Sequence, residues 1–188
     1  KEIESSRKPY PDVEIGEIFR KVIWGNVVSE IARHGSLAAE AALFFRMATT
    51  RSVACMPDAI AVLRRLHNRV RLAIVSNSQR LYTMPELIKF DIARYFEYIL
   101  FSSDIKTCKP APAIFRKALA DLQVKPQNAI YVGDDICIDV AGAQRAGMRT
   151  IWINHAPAEI ARDPEGLAVP DAVVTSDTYR DLPDRIGE

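Results

Sequence analysis

The sequence lacks the features that mark several large classes of protein. Its three cysteines, Cys55, Cys108 and Cys137, are far apart and do not have the paired spacing of a disulfide framework or a zinc site. No apolar run approaches the length of a membrane span, and the first twelve residues lack the apolar centre of a signal peptide. These absences favour a soluble protein of a reducing compartment, and we expect it in the cytoplasm.

An excess of charge of either sign is also missing. The 188 residues include 25 basic and 24 acidic side chains, and the resulting net charge of +1 gives no electrostatic reason to expect nucleic acid or an anionic membrane as a partner. The hydrophobic share of 48% is that of an ordinary globular protein. The length suits one buried core with a small helical insertion.

The spacing of apolar residues divides the chain into a helical first part and an alternating second part. It predicts a helix from Asp12 to Ile31 and another from Leu37 to about Ala48, which Ser36 can cap. In the second part, strands are predicted at 72–75, 98–101, 129–132, 150–153 and 172–174. Helices are predicted at 57–68, 81–90, 112–122, 138–146 and 179–186, and a loop is predicted at 157–170. Alternating strands and helices predict a three-layer α/β fold with a parallel sheet, here as a core at 56–188 after a helical cap at 1–55.

Polar side chains follow three of the predicted strands. They are Ser76 and Asn77 after LAIV, Lys109 a few residues after YILF, and Asp134, Asp135 and Asp139 after AIYV. Ligands of such sheets bind beyond the carboxyl ends of the strands, so we expect one common site. A hydroxyl, an amide and a lysine can hold phosphate oxygens, and carboxylates can hold a hard cation. The set is typical of phosphoryl transfer.

Three longer strings carry a family resemblance. IVSNS, SSDIKTCKPAPAIFRKAL and IYVGDDICIDVAGAQRAGMRTIWI, in this order, resemble the second, third and fourth motifs of the haloacid dehalogenase superfamily. The resemblance covers roughly Met56 to the C-terminus and implies a Rossmann-like phosphohydrolase with a helical cap. It also implies site roles: phosphate contact for Ser76 and Asn77, charge neutralisation for Lys109, Mg²⁺ ligation for Asp134, support of the metal shell or the lysine for Asp139, and a place near the metal for Asp135.

The first motif of that family has no counterpart in the sequence. It is an apolar strand ending in D-x-D, whose first aspartate is the nucleophile and a metal ligand. Asp12 and Glu14 have a similar spacing, but they follow PYP and begin a predicted helix. The resemblance therefore implies a Mg²⁺-dependent phosphohydrolase that acts on a small phosphorylated metabolite through an aspartyl phosphate. The segment that would carry the nucleophile is missing from the sequence, because it was removed, was left out of the structure, or never existed.

Other interpretations stay open. A 2-haloacid dehalogenase shares the scaffold, but those enzymes need no metal and usually lack the acid at the position of Asp134. A non-catalytic relative that binds a phosphate ligand or a protein partner is the better interpretation if the native chain begins at Lys1. Ser76 and the acids after AIYV can also serve as turn and helix-cap residues. The sequence leaves open the substrate and whether the protein is a monomer or a homodimer.

Overall fold

A computed structural model describes residues 35–49, 53–155, 168–175 and 178–186. The predicted helix at 12–31 and most of the predicted loop at 157–170 lie outside these ranges. The described residues divide into two compact units. The first takes its residues from Lys1–Cys55, Ser76–Arg94 and Phe101–Cys108, and the second from Met56–Val75, Tyr95–Leu100 and Lys109–Glu188. The predicted division into cap and core at residues 55 and 56 stays a prediction.

The helices and strands alternate along most of the described chain. In order they are α1 (Gly35–Thr49), α2 (Ala59–His67), β1 (Ala73–Ser76), α3 (Arg80–Lys89), β2 (Tyr98–Phe101), α4 (Ser102–Ile105), α5 (Pro112–Asp121), β3 (Ile130–Gly133), α6 (Ala141–Arg145), β4 (Arg149–Asn154), β5 (Ala172–Thr175) and α7 (Leu182–Arg185). Short 3-10 turns lie at Ala93–Tyr95, Pro126–Asn128 and Tyr179–Asp181, and a π-helical turn lies at Ile136–Val140.

The predicted elements within the described residues are present, with small shifts at their ends. Each of the five predicted strands begins and ends within one residue of its predicted bounds. Helix α1 begins at Gly35, so Ser36 lies in its first turn and not before it. The helix predicted at 138–146 is shorter, because a π-helical turn precedes α6. Helix α4 was not predicted. None of the helices in the described ranges combines the length and apolar character needed to cross a bilayer.

The strands form two sheets instead of the single sheet that the alternation predicts. Strands β3, β4 and β5 make a parallel sheet with β4 in the middle. Strands β1 and β2 pair in a sheet of their own. A cavity borders both β1 and β3.

Helices cover both faces of the three-stranded sheet. Neighbouring residues of a strand point to opposite faces, so the contacts of β4 show what lies on each side. On one face Ile151 and Ile153 of β4 belong to a cluster with residues of α2 and α7, namely Val62, Leu66 and Leu182. Trp152, between them, packs against Val140 and Ala141 at the start of α6. This arrangement confirms the predicted layers of helix, parallel sheet and helix.

Candidate active site

Asp139 lies under the end of β3 and organises the turn that follows. The residue is only 4% exposed. Its Oδ2 accepts hydrogen bonds from the backbone N–H groups of Asp134 and Asp135, each at 3.2 Å. Gly133 makes this approach possible, because a Cβ at that position would lie 2.6 Å from Asp139 Oδ2. The GDD sequence therefore places two acids above a third, buried carboxylate.

The ammonium group of Lys109 is fixed by two side chains of the same unit. Lys109 Nζ donates to Asp139 Oδ1 at 2.5 Å and to the Tyr131 hydroxyl at 2.9 Å. The side chains of the ion pair are 11% and 6% exposed for lysine and aspartate, so water screens their charges little. The result is a cation with a preset position near the carboxyl end of β3.

Tyr131 connects this pair to β1. Its hydroxyl donates to the backbone oxygen of Val75 at 2.9 Å. Burial raises the pKa of the Tyr131 phenol well above its ordinary value, and the negative charges of Asp139 and Asp134 raise it further. The phenol therefore keeps its proton at neutral pH and remains the donor to Val75.

Close packing holds the loop that carries Lys109. A Cβ on Gly142 of α6 would lie 2.7 Å from Phe115 Cε2 and 3.0 Å from the Cα of Pro110, the residue that follows Lys109. Phe115 in turn meets the Tyr131 ring edge to face, with the ring centroids 5.0 Å apart. Helix α6 can approach the loop this closely because residue 142 has no side chain.

The acids Asp134 and Asp135 have different surroundings. The Asp134 side chain is 67% exposed, with an oxygen 4.0 Å from His155 Nε2. Its backbone oxygen accepts a hydrogen bond from Trp152 Nε1 at 3.0 Å. The Asp135 carboxylate accepts from the backbone N–H groups of Cys137 and Ile138, so it caps the π-helical turn. Its contacts are those of the helix-cap interpretation.

The three acids do not form a common cluster. Within the residues that the structure describes, no group of three or more histidine, cysteine or acidic side chains is placed to hold a metal ion. Mg²⁺ commonly binds to one or two carboxylates and completes its shell with water and substrate phosphate oxygens. The exposed carboxylate of Asp134 fits that requirement, whereas those of Asp135 and Asp139 are engaged by backbone N–H groups and by Lys109. The metal roles of all three acids stay predictions.

Ser76 and Asn77 belong to the first unit. Ser76 ends β1, and its Oγ accepts a hydrogen bond from the Ser78 backbone N–H at 3.1 Å, an arrangement typical of a serine turn. Asn77 lies within that turn. The same unit contains an ion pair between Arg80 and Asp104, with two N–O distances of 2.7 and 2.8 Å. The predicted phosphate contacts of Ser76 and Asn77 stay predictions.

The order of the motifs and the geometry at the end of β3 agree with a match to a known protein family. A sequence model of the haloacid dehalogenase-like hydrolases matches residues 38–153, which is more than half of the chain. The chain belongs to this family.

The proteins that are similar to this chain include both phosphatases and a dehalogenase. A glyceraldehyde 3-phosphate phosphatase of Methanopyrus kandleri is 34% identical over 133 residues, which are 70% of this chain and 56% of that protein. A phosphoserine phosphatase of Thermus thermophilus is 32% identical over 139 residues, 73% of this chain and 55% of that protein. The chain thus spans about half the length of these relatives. A 2-haloacid dehalogenase structure from Pseudomonas syringae pv. Tomato DC3000 has a TM-score of 0.71 at 28% identity, covering 93% of this chain and 73% of that one.

Sequence reasoning missed two residues of the site, Tyr131 and Trp152. Tyr131 stands between Ile130 and Val132 in an apolar strand, and a phenol in such a place needs a hydrogen-bond partner. That signal was visible in the string IYVG, but two of the partners of Tyr131, Lys109 and Val75, are 22 and 56 residues away along the chain. The role of Trp152 in holding the Asp134 backbone had no sequence signal.

Proposed function

We propose that this chain is the core of a Mg²⁺-dependent phosphohydrolase that acts on a small phosphorylated metabolite. The observation that carries the proposal is the ammonium of Lys109, on a side chain that is only 11% exposed, held by Asp139 and Tyr131 at the end of β3. Through Asp139 it is linked to the turn that presents the exposed carboxylate of Asp134. Family membership and the phosphatase names of two curated relatives support the reaction class.

The chemistry requires charge neutralisation in a fixed geometry. Phosphoryl transfer spreads negative charge over the phosphate oxygens, and a cation that is already in place stabilises that charge without reorganising. Asp139 and Tyr131 supply this preset position for Lys109. Of the two roles that the resemblance implies for Asp139, its contacts favour support of the lysine.

The remaining roles follow from the family resemblance. Mg²⁺ held through Asp134 would add positive charge against the phosphate, and Ser76 and Asn77 would bind its oxygens. An aspartate from outside the 188 residues would attack phosphorus through a carboxylate oxygen while the ester oxygen leaves with a proton. Water would then cleave the aspartyl phosphate to inorganic phosphate and the free carboxylate.

The test is phosphate release by the protein together with its native upstream sequence, measured over a panel of phosphorylated metabolites with and without Mg²⁺. Lys109→Ala is expected to lower kcat by about a hundredfold or more, as the loss of one preset charge-stabilising group does elsewhere. Lys125→Ala, at an exposed lysine outside the site, is the matched control. Near-normal turnover by a folded Lys109→Ala protein would mean that the site is misplaced.

A 2-haloacid dehalogenase is the second candidate, because a solved structure of that name is similar to 93% of the chain. Its signature would be halide release from a 2-haloacid at a rate that does not depend on Mg²⁺. The exposed acid at position 134 favours the phosphatase. A protein that contains the upstream sequence and releases neither phosphate nor halide would favour the non-catalytic interpretation.

A further inference from the structure

Trp152 of β4 lies beside the turn that carries Asp134. In the parallel register of β3 and β4, Trp152 is the partner of Gly133, the residue directly before Asp134. Paired residues of neighbouring strands direct their side chains to the same face of the sheet. A Cβ on Gly133 would meet the Asp139 side chain, so the indole and Asp139 lie on one face. Both side chains can therefore reach the same turn.

The two side chains hold opposite sides of one peptide group, the one that joins Asp134 to Asp135. Its N–H, from Asp135, donates to Asp139 Oδ2 at 3.2 Å. Its oxygen, from Asp134, accepts from Trp152 Nε1 at 3.0 Å. The N–H and C=O of a trans peptide lie in one plane and point in opposite directions. A carboxylate on one side and an indole on the other thus hold this plane between them.

Asp139 alone would leave the turn able to pivot. The N–H of Asp134 donates to the same oxygen, Asp139 Oδ2, again at 3.2 Å. Two donors that converge on one atom fix a point more firmly than they fix an orientation about it. The hydrogen bond from Trp152 adds a second point of attachment, on β4. The two points together set the position of Asp134 and the direction of its Cα–Cβ bond relative to the sheet.

Packing keeps the indole itself in place. Trp152 packs, as Ile136 does, against the cluster of Val140, Ala141 and Ala168. Val140 ends the π-helical turn and Ala141 begins α6, so the indole contacts the segment that follows the acids. An indole has only two side-chain torsions, and this packing therefore fixes the direction of its N–H.

A fixed backbone matters for the Asp134 carboxylate because that side chain is 67% exposed. One of its oxygens lies 4.0 Å from His155 Nε2, which is longer than a hydrogen bond. An exposed carboxylate changes rotamer readily, so the anchored backbone keeps its oxygens near one place. Mg²⁺ requires a near-octahedral shell, and residues that orient a metal ligand add to the affinity without touching the metal.

We propose that Trp152 is a positioning residue that raises the Mg²⁺ affinity of Asp134 by holding the peptide group that follows it. In this role the indole acts through a backbone oxygen and does not itself contact the cation. That Asp134 ligates Mg²⁺ rests on the proposed function. That Trp152 holds the turn rests only on the contacts within the second unit.

The test uses the protein with its native upstream sequence and the variants Trp152→Phe and Trp24→Phe. Trp152→Phe keeps an aromatic ring against the cluster and removes the N–H donor. Trp24→Phe is the matched change at the chain's other tryptophan, which lies outside the described residues. Calorimetric titration with Mg²⁺ alone measures the affinity of each protein. Amide hydrogen exchange is followed by NMR without metal.

Trp152→Phe is expected to raise the Mg²⁺ dissociation constant by about tenfold, the lower end of what residues that orient a metal ligand contribute. Exchange of the Asp134 and Asp135 amides is expected to become about threefold faster or more, because the turn is held at one point only. The amide of Thr150, at the other end of β4, is expected to keep its rate, which a general loss of stability would raise. Trp24→Phe is expected to change none of these values.

A second measurement leaves the site unaltered. In the Trp24→Phe protein, Trp152 is the remaining tryptophan of the 188 residues. Its Nε1–H resonance is expected to shift when Mg²⁺ is added, because the acceptor of this N–H is the backbone oxygen of the residue that ligates the cation. This measurement decides the matter if Trp152→Phe does not fold.

Three outcomes would overturn the proposal. They are an unchanged Mg²⁺ affinity in folded Trp152→Phe, unchanged exchange of the Asp134 and Asp135 amides relative to that of Thr150, and a Trp152 resonance that does not respond to Mg²⁺. Phosphate release is measured separately. Weaker Mg²⁺ binding by Trp152→Phe in a protein that releases no phosphate would leave the role of Trp152 standing and count against the proposed function.

Discussion

Two ion pairs of this protein have similar chemical groups but differ in how far water reaches them. Lys109–Asp139 and Arg80–Asp104 each join a cation to a carboxylate that also accepts backbone N–H groups near a strand end. The side chains of the first pair are 11% and 6% exposed, and those of the second are 46% and 23% exposed. Contact distances are similar, so burial is the main difference between them.

Burial decides what each pair contributes. Exposed pairs stabilise a protein by about 0–1 kcal/mol, because water already solvates both charges. A buried pair has lost that solvation, so removal of one partner leaves a charge that nothing compensates. Loss of the Lys109 pair is therefore expected to lower the stability of the protein and to displace the proposed reacting groups. Loss of the Arg80 pair is expected to change mainly the local structure around Arg80 and Asp104.

The largest expected effect is a difference in stability between variants that lack the carboxylate of Asp139 or of Asp104. Asp139→Ala leaves Lys109 buried without its anion and is expected to lower the free energy of unfolding by about 3–5 kcal/mol. Asp104→Ala, the matched change in the exposed pair, is expected to cost no more than about 1 kcal/mol. Urea denaturation of the two variants measures both values. Equal costs would show that burial does not distinguish the pairs.

A smaller effect is expected from two tyrosines. Tyr131→Phe removes the hydroxyl that donates to Val75 and accepts from Lys109, and is expected to cost about 1–3 kcal/mol because the part-buried Val75 carbonyl loses its donor. Tyr98→Phe removes an exposed hydrogen bond to Asp121 and is expected to change stability by less than about 0.5 kcal/mol. Denaturation curves of both variants measure these free energies of unfolding. An unchanged free energy for Tyr131→Phe would contradict the expected role of its hydroxyl.

The smallest effect is the acid dependence of the exposed pair. Desolvation of Asp104 acts to raise its pKa, but hydrogen bonds from Arg80 and the Phe101 N–H outweigh it, and the pKa is lowered. The unfolded chain then binds more protons than the folded one as the pH falls below the ordinary aspartate pKa of about 3.9. The contribution of Asp104 is present above that pH and is lost as the pH falls through the lower folded pKa.

Arg80→Gln is expected to reduce this acid loss by less than about 1 kcal/mol, since solvent screens the pair. Denaturation of the variant and the unaltered protein between about pH 5 and pH 2.5 covers the window. A steeper acid loss in the variant would mean that Arg80 does not stabilise the Asp104 carboxylate.

The elements that local patterns specify were predictable from the sequence. Tyr98–Phe101 is a short apolar run bounded by polar residues, and it forms β2 at its predicted bounds. Pro112 begins α5 as expected of proline at a first helical position. The helix-cap interpretation of Asp135 also depended only on near neighbours, because its carboxylate accepts from the backbone N–H groups of Cys137 and Ile138. Each of these features depends on neighbours within about one turn or one strand.

Contacts between distant residues were not predictable. The motif strings bring Lys109 and the acids after β3 to one site by resemblance, but the assignment of Asp139 to the lysine and of Asp134 to solvent depended on burial. Tyr131 joins β1 to Lys109 across 56 and 22 residues of chain, and no local pattern specifies such partners. The π-helical turn that carries Asp139 under Gly133 likewise depends on that packing.

The sequence by itself determined the alternation of strands and helices and the polar residues at strand ends, because both follow from periodicity over a few positions. Only the tertiary structure decided that β1 and β3 line a common cavity and that one of two similar ion pairs is buried. Cavity lining and desolvation are properties of the assembled layers, and residues from many parts of the chain contribute to them.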